Sequence, residues 1–260
     1  MRLPWIEPAT GGRLTHHDGV ARLASGRVAL LGERHDRAED HRWQALTLAG
    51  LAALRADVVV GFEMFPRRAQ PALDAWGDGR LDAAGLLEAS RWSEVWGFEP
   101  GLYLPLFELC RDLGLPMRAI NIDRPLVTAI GRDGWDALPG HERDWLSPAR
   151  PASGAYRRYL FEITGGVRPG RAAQSPADPA FDRFVRAQQA WDRAFACGLA
   201  AVLEHAPAAL AVGIIGRGHL EYGFGVADQL DDLGIAPVLT ALPDGPVEGI
   251  AELVFDPEAH

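Results

Sequence analysis

The sequence predicts an α/β fold, with a parallel-sheet core flanked by helices and a smaller helical subdomain. Apolar runs rich in branched residues, such as Val28–Leu31, recur along the chain and stop at glycine or a polar residue, as buried parallel strands do. Amphipathic helical patterns separate these runs. The length of 260 residues suits one such domain, so we expect residues 1–260 to form a single unit.

Polar side chains follow the apolar runs that we predict to be the four core strands. These are Val28–Leu31 with Gly32, Glu33 and His35 after it, Asp57–Phe62 with Glu63, Met117–Ile120 with Asn121, and Ala211–Ile215 with Gly216, Arg217, Gly218 and His219. In open α/β sheets, ligands bind outside the carboxyl ends of the strands. If the strands are parallel neighbours, these polar side chains converge on one crevice, where we expect the functional site.

The helix predicted from Asp40 to Leu54 carries two further candidates, His41 and Gln44. They are three positions apart in the first turn, so they either lean towards the crevice or are simply exposed. We expect Asp40 to cap this helix. Its predicted inner stripe consists of Trp43, Leu46, Thr47, Leu51 and Leu54.

A second long helix, predicted from about Pro179 to His205, has Gln188 and Asp192 on its apolar stripe. A buried carboxylate needs a partner, so Asp192 is either a site residue or part of a structural hydrogen bond or an ion pair with an arginine. Before this helix, residues of about 133–180 have weak periodicity and frequent Pro, Gly and Arg, and we expect a helical insert there.

The remaining segments are less regular. Residues 1–25 are predicted to be a lead-in with a short helix, and Glu252–Phe255 to be a short edge strand. The aromatic side chains between Trp76 and Phe107 either wall a pocket for a ring-shaped ligand or fill the core.

Composition excludes several classes of function. The net charge of −9 argues against a nucleic-acid partner, which would require a basic face. The two cysteines have no metal-ligand or disulfide spacing. No apolar run reaches the roughly 20 residues that span a bilayer, and the first ten residues show neither a signal peptide nor a lipoprotein leader. We therefore expect a cytoplasmic protein without a membrane segment.

The residues predicted at the strand ends suit two kinds of chemistry. Glu33, His35, Glu63 and His219 could ligate a divalent metal such as Zn, Mn or Fe, which would activate a water for hydrolysis. Without a metal, a His–Glu pair can act as a general base and the group that orients it. The sequence alone leaves both open.

Several motifs, taken in order, resemble the ChaN-like proteins of the Tiki/TraB and erythromycin-esterase superfamily. The resemblance covers roughly residues 10 to 240. Its motifs are Leu31-Gly32-Glu33-Arg34-His35-Asp36, His41 and Gln44, Gly61-Phe62-Glu63-Met64-Phe65 with Gln70-Pro71, Asn121, Gln188 with Trp191-Asp192, and Gly216-Arg217-Gly218-His219-Leu220 with Gly223 and Gly225.

The resemblance implies a protein that binds haem, or another small molecule, as a homodimer. We expect Tyr222 to be the first candidate for the iron ligand and His219 the second, with His41, Gln44, Asn121, Gln188 and Asp192 around the cofactor. The wider superfamily implies an alternative, a metal-dependent peptidase or esterase that uses Glu33, His35, Glu63 and His219. A catalytically silent scaffold is the third possibility.

Overall fold

The computed structural model describes residues 2–167 and 169–256, which contain a sheet of eight strands. The strands are β1 (Trp5–Glu7), β2 (Gly12–Leu14), β3 (Val28–Glu33), β4 (Val58–Pro66), β5 (Met117–Asn121), β6 (Leu210–Gly216), β7 (Val238–Pro243) and β8 (Leu253–Phe255). The helices are α1 (His16–Ala24), α2 (Ala38–Leu54), α3 (Gln70–Gly77), α4 (Ala83–Ser90), α5 (Trp92–Val95), α6 (Leu104–Asp112), α7 (Arg124–Asp133), α8 (Gly154–Ile163), α9 (Asp182–His205) and α10 (Val226–Asp232).

The predicted α/β fold with a parallel core is confirmed. The strand order is β2-β1-β8-β7-β3-β6-β4-β5, and every pair from β8 to β5 is parallel. In the register of β3 and β6, Glu33 lies opposite Gly216. The carboxyl ends of β3, β6, β4 and β5 therefore meet at one edge of the sheet, in four adjacent positions.

Both faces of the sheet are covered by helices. Leu31 of β3 packs in the same apolar cluster as Leu48 of α2, whereas the preceding Leu30 packs on the other face with Leu199 of α9. Successive residues of a strand point to opposite faces, so a strand that is covered on both sides must be apolar at nearly every position. This is why β3 and β6 appear in the sequence as uninterrupted apolar runs.

Three sequence predictions about individual elements were wrong. The strand predicted at Glu252–Phe255 is present as β8, but it is not at the edge of the sheet, because β1 pairs with β8 and β2 extends the sheet further. Asp40 does not cap α2; it accepts hydrogen bonds from the backbone N and the guanidinium of Arg34. Leu46 and Leu54 are 52% and 43% exposed, so the inner face of α2 is rotated away from both.

The segment of about 133–180 contains α8 and two short 3-10 turns, Trp135–Ala137 and Gly140–Glu142. Tyr156, Leu160 and Phe161 of α8 form a small apolar cluster with Phe181 and Val185. The helix thereby packs against the beginning of α9. Within residues 2–167 and 169–256, no helix has the length and apolar character required to cross a bilayer. Both cysteine thiols are buried and unpaired.

Candidate functional site

Glu33 and His35 form the first ion pair of the site. Glu33 is the last residue of β3 and is almost completely buried. Its Oε1 lies 2.6 Å from Nδ1 of His35, whose side chain is 32% exposed. Because Nδ1 is bound to the carboxylate, the other ring nitrogen, Nε2, is the one that remains available to a ligand.

Glu63 and Gly216 lie beside the imidazole of His35. The backbone N of Gly216 donates a hydrogen bond to Oε2 of Glu63, which links the ends of β6 and β4. A β-carbon at Gly216 would lie 2.6 Å from Cε1 and 3.1 Å from Nε2 of His35, and 3.4 Å from Oε2 of Glu63. Only glycine leaves room for the ring and the carboxylate to pack together at this point.

Asn121, at the end of β5, supports this arrangement from the neighbouring strand. Its amide nitrogen donates to the backbone carbonyl of Glu63, and its amide oxygen accepts from the backbone N of Ile122 at 2.7 Å. Both amide atoms are thus engaged with the backbone. Asn121 holds the end of β4 in place, rather than presenting a free group to the crevice.

His219 and Asp192 form a second ion pair. Nδ1 of His219 lies 2.6 Å from Oδ1 of Asp192, and the hydroxyl of Tyr156 donates to Oδ2 of the same carboxylate at 2.6 Å. Asp192 is completely buried on α9. Its partners are a histidine and a tyrosine, not the arginine that the sequence left open. As with His35, only Nε2 of His219 remains available to a ligand.

Burial and charge have opposite effects on the two histidines. Burial by itself would lower the pKa of His35, but the hydrogen bond to Glu33 and the charges of Glu63 and Glu33 outweigh it and raise this pKa to about 9. Burial also opposes the charged form of His219, yet Asp192 and Glu63 raise its pKa above the usual value. Desolvation raises the pKa of Glu33 and that of Asp192. His35 is therefore protonated near neutral pH.

His41 and Gln44 are buried beneath β3 and are not exposed residues of the first turn. Nε2 of His41 donates to the backbone carbonyl of His35 at 3.2 Å, and the hydroxyl of Tyr103 donates to the same oxygen at 3.2 Å. Gln44 donates to the backbone carbonyl of Leu31 at 2.9 Å. Both residues therefore fix the backbone around the first ion pair.

Several buried polar atoms around β3 and α2 lack a hydrogen-bond partner in the described residues. They include Oε2 of Glu33, Nδ1 of His41, Oε1 of Gln44 and Oγ1 of Thr47. Native proteins satisfy most buried polar groups, often through ordered water. The interior side of Glu33 is therefore polar and suited to holding a water molecule or a ligand atom.

The aromatic segment divides between the two roles that the sequence left open. Trp96 and Phe98 wall the site, with ring centroids 4.8 and 4.9 Å from that of His35. The others belong to the core, where each is at most 5% exposed: Trp76, Trp92, Tyr103 and Phe107.

Tyr222 lies on the surface just after His219. It is 40% exposed and adopts a left-handed backbone conformation, with φ 61°. Its ring centroid is 5.8 Å from that of Tyr159 and 6.0 Å from that of Phe224. Ile163, which is 53% exposed, approaches the neighbouring turn at Gly218. Tyr222 thus belongs to an apolar and aromatic surface next to the second ion pair.

One residue of the site was not predicted from the sequence, and one predicted residue makes no hydrogen bond to the second ion pair in the described residues. Tyr156 of α8 donates a hydrogen bond to Asp192, and the only sequence signal for this role is that Tyr156 shares a helical face with Tyr159. Gln188 is half-buried on α9. No hydrogen bond joins it to His219 or Asp192 in the part of the chain that the structure describes.

The predicted divalent-metal site receives no support from the geometry. Across the described ranges, no group of three or more His, Cys, Asp or Glu side chains is arranged so that it could hold a metal ion. The physical reason is that the carboxylates are already engaged: Glu33 and Asp192 each hold Nδ1 of a separate histidine, and Glu63 accepts from the backbone N of Gly216.

Two surface grooves lie beside this site and are not part of it. A groove of about 720 Å³ runs along β5 and α9 and includes Arg67, Arg118 and Trp145. A second groove, of about 670 Å³, includes Arg34, Trp43 and Asp244 near the end of β7. Neither is lined by the two histidine–carboxylate pairs, so hydrogen bonding and burial, rather than cavity volume, identify the site.

The fold and the site define an α/β protein with paired histidines and carboxylates at the carboxyl edge of a parallel sheet. The chain belongs to the family described as haem-binding uptake, Tiki superfamily, ChaN, whose sequence profile matches residues 19–230. No curated protein sequence matches the chain.

Solved structures show the same fold at low sequence identity. ChaN of Campylobacter jejuni, described as binding haem cofacially, is 19% identical with a TM-score of 0.77, covering 96% of this chain and 94% of that one. The type III effector HopBA1 is 14% identical with a TM-score of 0.53 and 94% of each chain covered. A mutant of the erythromycin esterase EreC, in its open conformation, is 12% identical with a TM-score of 0.53, covering 92% of this chain and 76% of that one.

Proposed function

We propose that this protein binds haem through the surface around Tyr222. The observation that carries the proposal is the exposed phenol of Tyr222 among apolar and aromatic neighbours, in a chain of the haem-binding ChaN family. A haem needs an open apolar face and an axial ligand, and tyrosine serves as such a ligand in other haem proteins. When bound, the haem would supply the iron that the phenol oxygen ligates and the apolar porphyrin ring that packs on this surface.

His219 is the second candidate for the axial ligand. Its Nδ1 is bound to Asp192 at 2.6 Å, as the second nitrogen of a metal-ligating histidine usually is. However, its side chain is only 15% exposed, whereas a porphyrin needs a broad approach to the iron ligand. The greater exposure of Tyr222 therefore favours Tyr222 as the axial ligand.

We retain a homodimer and a cytoplasmic location as predictions.

A haem titration followed by absorbance tests this function. We expect saturable binding by the wild-type protein, and a shifted or weakened haem band in Tyr222→Phe, which removes the phenol oxygen and retains the ring. Tyr159→Phe is the matched control, because its hydroxyl is already bound to Glu221 at 2.9 Å. Absence of saturation in the wild type would overturn the function, and an unchanged spectrum of Tyr222→Phe would overturn this ligand.

We propose acid–base hydrolysis of an ester or peptide bond as a second function. The specific observation is that two histidine–carboxylate pairs each leave Nε2 available at the ends of β3 and β6. In such a site, one imidazole accepts a proton from water, the resulting hydroxide adds to the carbonyl, and the other imidazole donates a proton to the leaving group. His35, whose pKa is about 9, is the proton donor near neutral pH.

Ester and peptide substrates, assayed with two conservative variants, test this second function. Glu33→Gln removes the carboxylate charge beside His35. His219→Asn removes Nε2 and retains an amide that can donate to the buried Asp192. We expect both variants to lose turnover, by about 10²-fold or more, and to melt close to the wild type. His141→Ala, which removes an exposed imidazole, should keep full activity. Turnover that survives both site variants would overturn the proposal.

A further inference from the structure

Two tyrosines on one face of α8 bind carboxylates around the second ion pair. Tyr156 donates to Asp192 at 2.6 Å, and Tyr159 donates to Glu221 at 2.9 Å. They are three positions apart, so they lie on the same side of the helix. Both rings also contact Phe224, with centroids 5.6 and 5.8 Å from it. The helical insert thus touches the turn that carries His219.

Asp192 is the link between this helix and His219. One carboxylate oxygen accepts from Tyr156 and the other from His219. The carboxylate is completely buried, so it depends on these partners to offset the loss of water. A β-carbon at Gly225 would lie 2.9 Å from Oδ1 of Asp192, which shows how closely the backbone confines the carboxylate.

The imidazole of His219 is confined as well. Its ring stands edge-on to Phe195 and Trp191 of α9, with centroids 5.4 and 6.4 Å away. With Nδ1 fixed on Asp192, rotation of the ring would break the hydrogen bond. The orientation of Nε2 therefore follows from the orientation of Asp192, and Asp192 has its second partner in Tyr156.

We propose that Tyr156 is a positioning residue of this site, which holds Asp192 so that His219 directs Nε2 into the crevice. An effect of Tyr156 on catalysis rests on the proposed acid–base function. The contacts of Tyr156 and His219 with Asp192 do not depend on any substrate. Through Tyr156, helix α8 then contributes to the orientation of His219. A displacement of α8 would release the carboxylate and free the imidazole to turn.

Proton NMR of the intact protein, without substrate, tests the proposal. The Nδ1 proton of His219 should give a low-field resonance, assigned by its loss in His219→Asn. Tyr156→Phe removes one of the two partners of the buried Asp192. We expect the resonance to broaden, because a carboxylate that is free to move no longer holds the imidazole of His219 in one orientation. Tyr159→Phe, the matched control on the same helix face, should leave it in place.

Two outcomes would overturn the positioning role. One is a His219 resonance that stays sharp in folded Tyr156→Phe, whether unmoved or displaced downfield, and the other is an equal change in both tyrosine variants. If Tyr156→Phe does not fold, ring-fluorinated tyrosine in the wild-type chain replaces it, because its hydroxyl is a stronger donor and should shift the resonance upfield; no shift would overturn the proposal. A protein that shows the expected changes but no hydrolysis would refute the second proposed function alone.

Discussion

Nδ1 of His35 lies 2.6 Å from Oε1 of Glu33, a residue only two positions earlier in the chain. The pair forms locally because β3 ends at Glu33 and side chains two positions apart in an extended segment point to the same side. The backbone carbonyl of His35 is in turn fixed by His41 and Tyr103. The ion pair is therefore held in place before any ligand binds, which is what acid–base chemistry requires.

Glu33→Gln should lower the pKa of His35 from its value of about 9. The amide oxygen can still accept the hydrogen bond from Nδ1, but the negative charge that stabilises the imidazolium is lost. NMR titration of the histidine ring protons measures the change. Because burial also disfavours the charge of Glu33, we expect the melting temperature to fall by only a few degrees. Glu39→Gln, which changes an exposed carboxylate of α2, is the control and should leave the titration of His35 unaltered.

Stability should decline as the pH rises from about 7 to above 9. The folded protein raises the pKa of His35 to about 9, from the value of about 6.5 that is usual for histidine, so the folded state binds the proton more tightly than the unfolded state does. The stability from this group is fully present below the unfolded pKa and is lost as the pH passes the folded pKa. The raised pKa of Glu33 acts in the same direction.

Urea unfolding at a series of pH values measures this dependence. His35→Gln has no imidazole to titrate, so its free energy of unfolding should fall less steeply over the same interval. Parallel curves for the two proteins would show that His35 does not contribute the pH dependence.

The parallel core and its polar strand ends could be predicted from the sequence because burial on both faces produces a distinctive pattern. A strand such as β6 is apolar at every position until Gly216, and a polar residue that follows marks the edge of the sheet. The short strands β1 and β2 have three residues each, too few to show alternation. Their place in the sheet depends on pairing with distant β8, which no local pattern reveals.

The partners of the site residues were harder to predict than the residues themselves. Asp192 stands out in the sequence as a carboxylate on an apolar helix face, but Tyr156 binds it across 36 positions. Asp40 resembles a helix cap by position, yet the guanidinium of Arg34 competes for it successfully. A charge-assisted hydrogen bond is roughly twice as strong as a neutral one, and this preference overrides local capping.

Gly216→Ala should disturb the first ion pair from the neighbouring strand β6. The added carbon would lie 2.6 Å from Cε1 of His35, so the ring must move away and weaken its bond to Glu33. Overpacking of this kind costs about 1–3 kcal/mol, and the pKa of His35 should fall together with the stability. Gly218→Ala is the control two positions on, where the nearest atom, Cδ1 of Ile163, would be 3.9 Å away. Equal losses in the two variants would contradict the role of close packing at Gly216.

Gly225→Ala should be more damaging than Gly223→Ala, although both glycines have a positive φ, of 61° and 68°. At Gly223 a β-carbon would meet nothing within 4 Å, so the expected cost is that of the backbone conformation alone, about 1–2 kcal/mol. At Gly225 the same carbon would lie 2.4 Å from the backbone oxygen of His219 and 2.9 Å from Oδ1 of Asp192. The backbone oxygen cannot rotate away as a flexible side chain would, so the turn itself must shift and carry His219 with it. Urea unfolding should show the larger loss for Gly225→Ala, and the Nδ1 proton of His219 should lose its low-field position in that variant only. Equal losses would mean that backbone strain, and not contact with the ion pair, explains the glycine at this position.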